Sequence, residues 1–177
     1  MDPSERPGDG DSAPPRGEVV TLRFDGREVA VWWGPDGDVD RLAARGRRIL
    51  TWPTADACEE HARRAGWTGL AGVDDGTISR STLDVEPAQA WLRGRAALDH
   101  GSALNLWNFH WDVQATATGG WPAQKRVELR CHGKLTAANV PWLAGETVYR
   151  PRWTAIELRC LRRVLNESVH ALRTMLS

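Results

Sequence analysis

Cysteine is scarce in this chain: Cys58, Cys131 and Cys160 are the only three in 177 residues. An odd count without framework spacing excludes a disulfide scaffold and points to a reducing compartment. No apolar run approaches the roughly 20 residues that cross a bilayer, which excludes a helical membrane span. The opening residues, MDPSERPGDGDSAPPRG, lack the apolar stretch of a secretory signal, so a cytoplasmic location is expected. Lysine is almost absent, two residues against 21 arginines. With abundant Ala, Gly and Asp, that ratio reads as GC-rich coding of an actinobacterial kind, which weakens any case that arginine was selected for phosphate. Net charge is zero and the sequence pI about 7.0, with no Lys/Arg-rich run, so nucleic acid is not the expected partner.

Phenylalanine occurs twice and tyrosine once, yet there are ten tryptophans, at 32, 33, 52, 67, 91, 107, 111, 121, 142 and 153. Each brings a large apolar body and one N–H that needs a partner when buried. Trp and Arg are also the side chains most enriched at binding hot spots. Core building and partner binding therefore compete as explanations of this composition.

Charge divides along the chain. Residues 1–122 carry 13 basic and 19 acidic side chains, and residues 123–177 carry 10 basic and four acidic, so the two parts are −6 and +6. Either the halves pack together and neutralise, or one end offers a charged surface to a partner.

The pattern predicts a disordered tail over 1–17 and one domain over 18–177. Residues 18–24 alternate, Asp25-Gly26 is a two-residue hairpin signal, and residues 27–33 return as a second strand. That register pairs Phe24 with Arg27, Leu22 with Val29 and Val20 with Val31, matching apolar faces. Residues 38–46 read as a short helix or a loop, 47–52 as a third strand, and 77–83 as a short strand. Helices are predicted over 55–65 with Thr54 as cap, from Asp84 to near Gly94, over 99–118, and over 154–175, where Thr154 and Glu157 form a capping box. Residues 123–150 resist assignment beyond the amphipathic stretch KRVELRC. Strands first and helices after give an α+β fold: a small, mostly antiparallel sheet, the hairpin plus a third strand, packed on two long helices and two shorter ones.

Catalytic motifs are weak. Cys58 with His61 and Cys131 with His132 lack the spacing of a zinc site, and adjacency points Cys131 and His132 apart. Gly133-Lys134 has no Walker loop before it, and Gly119-Gly120 follows a helix where a dinucleotide loop follows a strand. No metal and no cofactor are expected. The predicted central helix carries Asn105, Asn108, His110 and Asp112. Those residues either tie it to neighbouring backbone or line a ligand pocket. Trp121, Trp142 and Trp153, with Arg126, Arg150 and Arg152, flank irregular segments and either seal the core or form a basic contact surface.

Three stretches in order, ALNLWNFHWDV at 103–113, GKLTAANVPWL at 133–143 and VYRPRWTAIELRCLRRVL at 148–165, resemble small cytoplasmic actinobacterial proteins of immunity type, which belong to toxin–immunity systems. The resemblance covers roughly 85 residues and implies a one-domain, non-catalytic protein that binds a partner protein. It assigns no residue. The residues themselves offer two surfaces: an acidic sheet face with Glu28, Asp36, Asp38 and Asp40 for a basic toxin cleft, and a basic pole with Arg126, Arg150, Arg152 and Trp142. The acidic face is preferred. The alternative is a small ligand-binding module or enzyme with its pocket at residues 99–118.

Overall fold

Two strands of alternating apolar residues organise the molecule, and they pair as their sequence predicts. In the computed structural model, which describes residues 11–70, 77–140 and 149–176, β2 (Arg16–Phe24) and β3 (Arg27–Asp36) run antiparallel around Asp25-Gly26. Phe24 faces Arg27, Leu22 faces Val29 and Val20 faces Val31. Asp25 and Gly26 both take positive φ, 52° and 72°, as a turn whose twist matches its strands requires.

The fold is α+β, with eight strands and five helices among the described residues. The larger sheet has the order β4-β3-β2-β7, with β4 (Val39–Leu42) and β7 (Thr68–Gly69) at its ends, and β8 (Arg80–Asp84) also pairs with β2. Both β7 and β8 run parallel to β2, so the sheet is mixed. A second small sheet joins β1 (Asp11–Ser12), β5 (Ala44–Arg45) and β6 (Arg48–Ile49). Only Arg48–Ile49 of the expected third strand is extended strand, and it lies in this second sheet; Trp52 keeps one bridge to Ala30. Pro53 halts pairing there, since it has no N–H to donate. Residues 38–46, expected as helix or loop, form β4 and β5 instead.

Apolar residues stand on both faces of the central hairpin, and both faces are covered. Val20, Leu22, Phe24 and Val31 join one core with helices α2 (Glu86–Leu92), α3 (His100–Thr118), α4 (Arg126–Asn139) and α5 (Ala155–Met175). Val19, Ala30 and Trp32 join a second core with Cys58 and Ala62 of α1 (Ala55–Arg64). The sheet is therefore sandwiched between helices on both faces. No helix among the described residues is long and apolar enough to cross a membrane.

Local chemistry explains the helix ends. Thr54 Oγ1 accepts from Ala57 N–H, the Asp99 carboxylate accepts from Ser102 N–H, and Thr154 with Glu157 forms the predicted capping box. Gly119 closes α3 in the left-handed region at φ 89°. The fifth helix, α4, occupies the stretch that resisted assignment. Its N-terminus is set by Glu128, whose carboxylate accepts from Lys125 N–H at 2.8 Å.

The expected disordered tail needs correction from Asp11 onward; residues 1–10 lie outside the described residues. Asp11 and Ser12 pair with Arg45 and Ala44, and Arg16 already belongs to β2. The cause is Trp32. Its indole is fully buried, and its N–H donates to the Pro14 carbonyl at 2.9 Å. Pro15 in turn accepts from Thr68 N–H. Removing residues 1–15 is expected to lower stability by about 2 kcal/mol, because a buried donor loses its acceptor. A urea midpoint equal to that of the full chain would contradict this anchoring.

Candidate functional site

The tight turn between β3 and β4 gathers three carboxylates. Asp36 pairs with Val39 in the ladder, Gly37 supplies φ 68°, and Asp40 sits opposite Pro35. Asp36, Asp38 and Asp40 are all exposed; Asp36 has an ion pair with Arg41 at 3.2 Å. The hairpin is fixed to the C-terminal end of α3. Leu42 N–H donates to Thr116 Oγ1 at 2.9 Å, and the Arg41 guanidinium reaches the Gly119 carbonyl.

An aromatic shelf continues from this acidic tip. Trp121, on the connector after α3, is 51% exposed, and its Nε1–H donates to Asp112 Oδ1 at 3.2 Å. Trp121 leans on Trp111 with centroids 6.1 Å apart, and Trp111 stacks on His132 at 4.6 Å with rings 21° apart. His132 Nε2–H in turn donates to Asn108 Oδ1 at 2.7 Å. Burial lowers the His132 pKa and holds the ring neutral. Asp112 is buried beneath this shelf. Burial pushes its carboxyl up to about 7; the Trp121 hydrogen bond opposes the rise and the charge of Asp40 adds to it. The hairpin with its three acids, the half-exposed indole and the stacked pair thus all gather around the C-terminal half of α3.

The four helical residues expected to share a pocket do not converge. Asn105 is exposed, Asn108 bonds His132, and Asp112 bonds Trp121. His110 turns toward α5. Ser168 Oγ already donates to the Val164 carbonyl, so it accepts from His110 Nδ1–H at 3.0 Å, which leaves Nε2 as an acceptor. Burial lowers the His110 pKa, consistent with a neutral ring. At about 100° per residue, Asn105, Asn108 and Asp112 share one side of α3 while His110 points to the other, so the four cannot share one small cavity. A cavity of about 230 Å³ does open beside α3, but of those four only His110 lines it, with Trp107, Gln124, Glu128 and Arg163.

The expected acidic face also needs correction. Glu28 lies at the opposite end of β3 from Asp36, about 26 Å away at strand rise, and pairs with Arg23 at 2.6 Å. It belongs with Glu86 near the other turn, where Gly26 N–H donates to the Glu86 carboxylate. Of the basic pole, Arg126 begins α4 and Arg150 and Arg152 precede α5, all exposed, while Trp142 falls outside the described residues. Trp153 is half-buried, near His100 and under the Lys134 ammonium.

Neither cysteine pair is arranged for chemistry. Cys58 and Cys131 are buried on opposite sides of the sheet, and burial pushes both thiols up to about 12. Cys131 faces Glu157 and Cys160 while His132 faces α3, so the adjacent pair is split by the helix. No cluster of three or more potential metal ligands occurs among the described residues. The part of His132 in the aromatic shelf escaped sequence reasoning. Its only signal was helical: one step from the buried Cys131 and three after Leu129. No protein-family model, curated protein or solved structure matches this chain.

Proposed function

We propose that this chain is a non-enzymatic protein-binding protein of immunity type, which works in the cytoplasm by covering a basic surface of its partner. The observation that carries this reading is the exposed Trp121 just after the C-terminal end of α3, where the hairpin carrying the exposed Asp36, Asp38 and Asp40 is fixed. An indole gives contact area at low conformational cost, and flanking carboxylates steer a cationic surface onto it. Proteins that act on nucleic acid carry basic clefts to hold phosphate, and such a cleft has the charge this edge complements. Occlusion requires no chemistry from the binder.

The test is capture from native cytosol with the tagged full chain, in parallel with the variant Trp121→Ala. Stoichiometric recovery of one basic protein by the wild type, and its loss in the variant, is the expected result. A wild-type chain that recovers nothing, or a variant that recovers the same protein equally, counts against this edge. Once the partner is in hand, Trp121→Ala is expected to weaken the complex by about 2 kcal/mol, chiefly through faster dissociation.

A second reading rests on the cavity lined by His110. A neutral imidazole with a free Nε2 acceptor, beside the indole of Trp107, suits a small planar hydrogen-bond donor. A metabolite that raises the melting temperature of the wild type and not of His110→Asn would shift weight to it.

A further inference from the structure

Helices α4 and α5 pack antiparallel, and their outer face has cations where helices ordinarily avoid them. The pairing is read from three contacts: Glu128 with Arg163, Cys131 with the Glu157 carbonyl, and Lys134 with Glu157 at 2.8 Å. Those inward acids are used up by their partners. Outside the seam, Arg126 and Arg130 stand at i and i+4 on α4, and Arg159 stands on α5 three residues after Ile156; all three arginines are exposed. Among the described residues, no carboxylate pairs with any of the three. Arg126 and Arg130 lie in the N-terminal part of α4, and Arg159 near the start of α5. The helix dipole disfavours cations there and favours them at C-termini, yet α4 has no basic residue in its last turn. Like charges at i and i+4 also repel. This arrangement weakens the helices that carry it.

Two further features lie on the exposed sides of the same two helices. Leu129 and Ile156 are 57% and 63% exposed, two of the three large apolar residues so exposed in the described chain. Leu129 neighbours Arg126 at i+3, and Ile156 neighbours Arg159 at i+3. One turn after Leu129, Gly133 occupies the middle of α4, and a Cβ there would meet nothing within 4 Å among the described residues. Glycine in a helix interior is costly relative to alanine, and no contact among the described residues requires it. A bare backbone on an exposed helix face allows close approach from outside.

We infer that the α4–α5 face is a second docking surface, distinct from the acidic edge, and that it receives an acidic amphipathic helix of a partner protein. The partner's backbone crosses over Gly133, its apolar stripe meets Leu129 and Ile156, and its carboxylates pair with Arg126, Arg130 and Arg159. Charge complementarity selects an anion, and the exposed apolar pair selects a protein helix over a phosphate backbone, which offers nothing to Leu129 or Ile156.

The probe is a fluorescein-labelled synthetic helix of roughly 21 residues, with leucine on one face and glutamate on its flanks, long enough to span α4. It is titrated into the full chain and followed by anisotropy. The expected result is binding at about 10 µM, weakened about tenfold or more by Gly133→Met and by Arg126→Glu with Arg130→Glu. Gly133→Met places a side chain in open space and improves helix propensity, so its melting temperature is expected to match or exceed wild type, which separates blocked docking from misfolding. Absence of binding at about 100 µM overturns the inference. So does unchanged affinity in a folded Gly133→Met variant, or equal binding by duplex DNA or by polyglutamate lacking leucine.

Discussion

Replacing Asp112 by Asn is expected to stabilise the protein at pH 8 and to leave it little changed at pH 4. Asp112 is 5% exposed, and burial raises its carboxyl from 3.8 to about 7. In the unfolded chain the carboxyl loses its proton near pH 4; in the folded chain it holds it until about pH 7. Between those values the folded state binds the extra proton, so stability falls as pH rises through this window. Above pH 7 the full penalty of a buried, mostly uncompensated carboxylate is present. A rise of that size corresponds to on the order of 4 kcal/mol. Asn keeps an oxygen for the Trp121 N–H and carries no charge. The stability gained by the variant should therefore grow from near pH 4 and level off above pH 7. The buried histidines act in the opposite direction. His110 and His132 have lowered pKa values, so their contribution is intact above the unfolded value of 6.5 and is lost as the pH falls below it. Urea unfolding of wild type and variant across pH 4–9 measures both. A pH-independent difference would contradict the burial of Asp112.

Gly34→Ala is the second large effect. Gly34 lies against Gly17 across β2 and β3, just before the acidic hairpin. A Cβ at Gly34 would meet the Arg16 carbonyl oxygen and come within 2.6 Å of Gly17 Cα. Both are backbone atoms and cannot rotate aside. A Cβ at Gly17 would in turn come within 2.9 Å of the Trp32 indole. The strands must separate, and Trp32 and its Pro14 hydrogen bond move with them. A loss of about 3 kcal/mol or more is expected. Gly37→Ala, in the same hairpin, strains a left-handed residue but meets nothing within 4 Å, so its cost should be nearer 1 kcal/mol. Equal urea midpoints for the two variants would contradict the close approach.

Local signals made the hairpin legible. Alternation in 18–24 and 27–33 meets at Asp25-Gly26, and only one register matches the apolar faces. Thr154 and Glu157 announced the last helix for the same reason. Other features depended on distant partners. Nothing near Arg80–Asp84 shows that this strand will lie parallel to β2, because its partner is some sixty residues earlier. Trp32 and Trp33 look equivalent in sequence, yet they face opposite cores. Helix α4 was hidden by its own composition: lysine at its N-cap, glycine in its middle, and only Glu128, Cys131 and Leu135 buried. Those three positions mark a narrow stripe, too thin for a hydrophobic pattern to reveal.

The acidic edge was partly legible on the same grounds. Asp36, Asp38 and Asp40 are neighbours in one turn, so any fold keeps them together. Glu28 had to be placed by the length of β3, which carries it to the far end of the sheet. That Trp121 stands half exposed at the end of α3 where the hairpin docks, held by Asp112, follows only from the way α3 ends at Gly119.

Binding through this edge is tested most directly by stopped-flow association with the captured partner across a salt series, comparing wild type with Asp36→Asn/Asp38→Asn/Asp40→Asn. Steering by three exposed carboxylates predicts that the triple variant associates about tenfold more slowly at low salt. The gap should close as the salt approaches about 0.5 M, where the screening length shrinks to a few ångströms. Equal association rates at low salt, in a variant with wild-type stability, would contradict the claim that the acidic edge meets the partner.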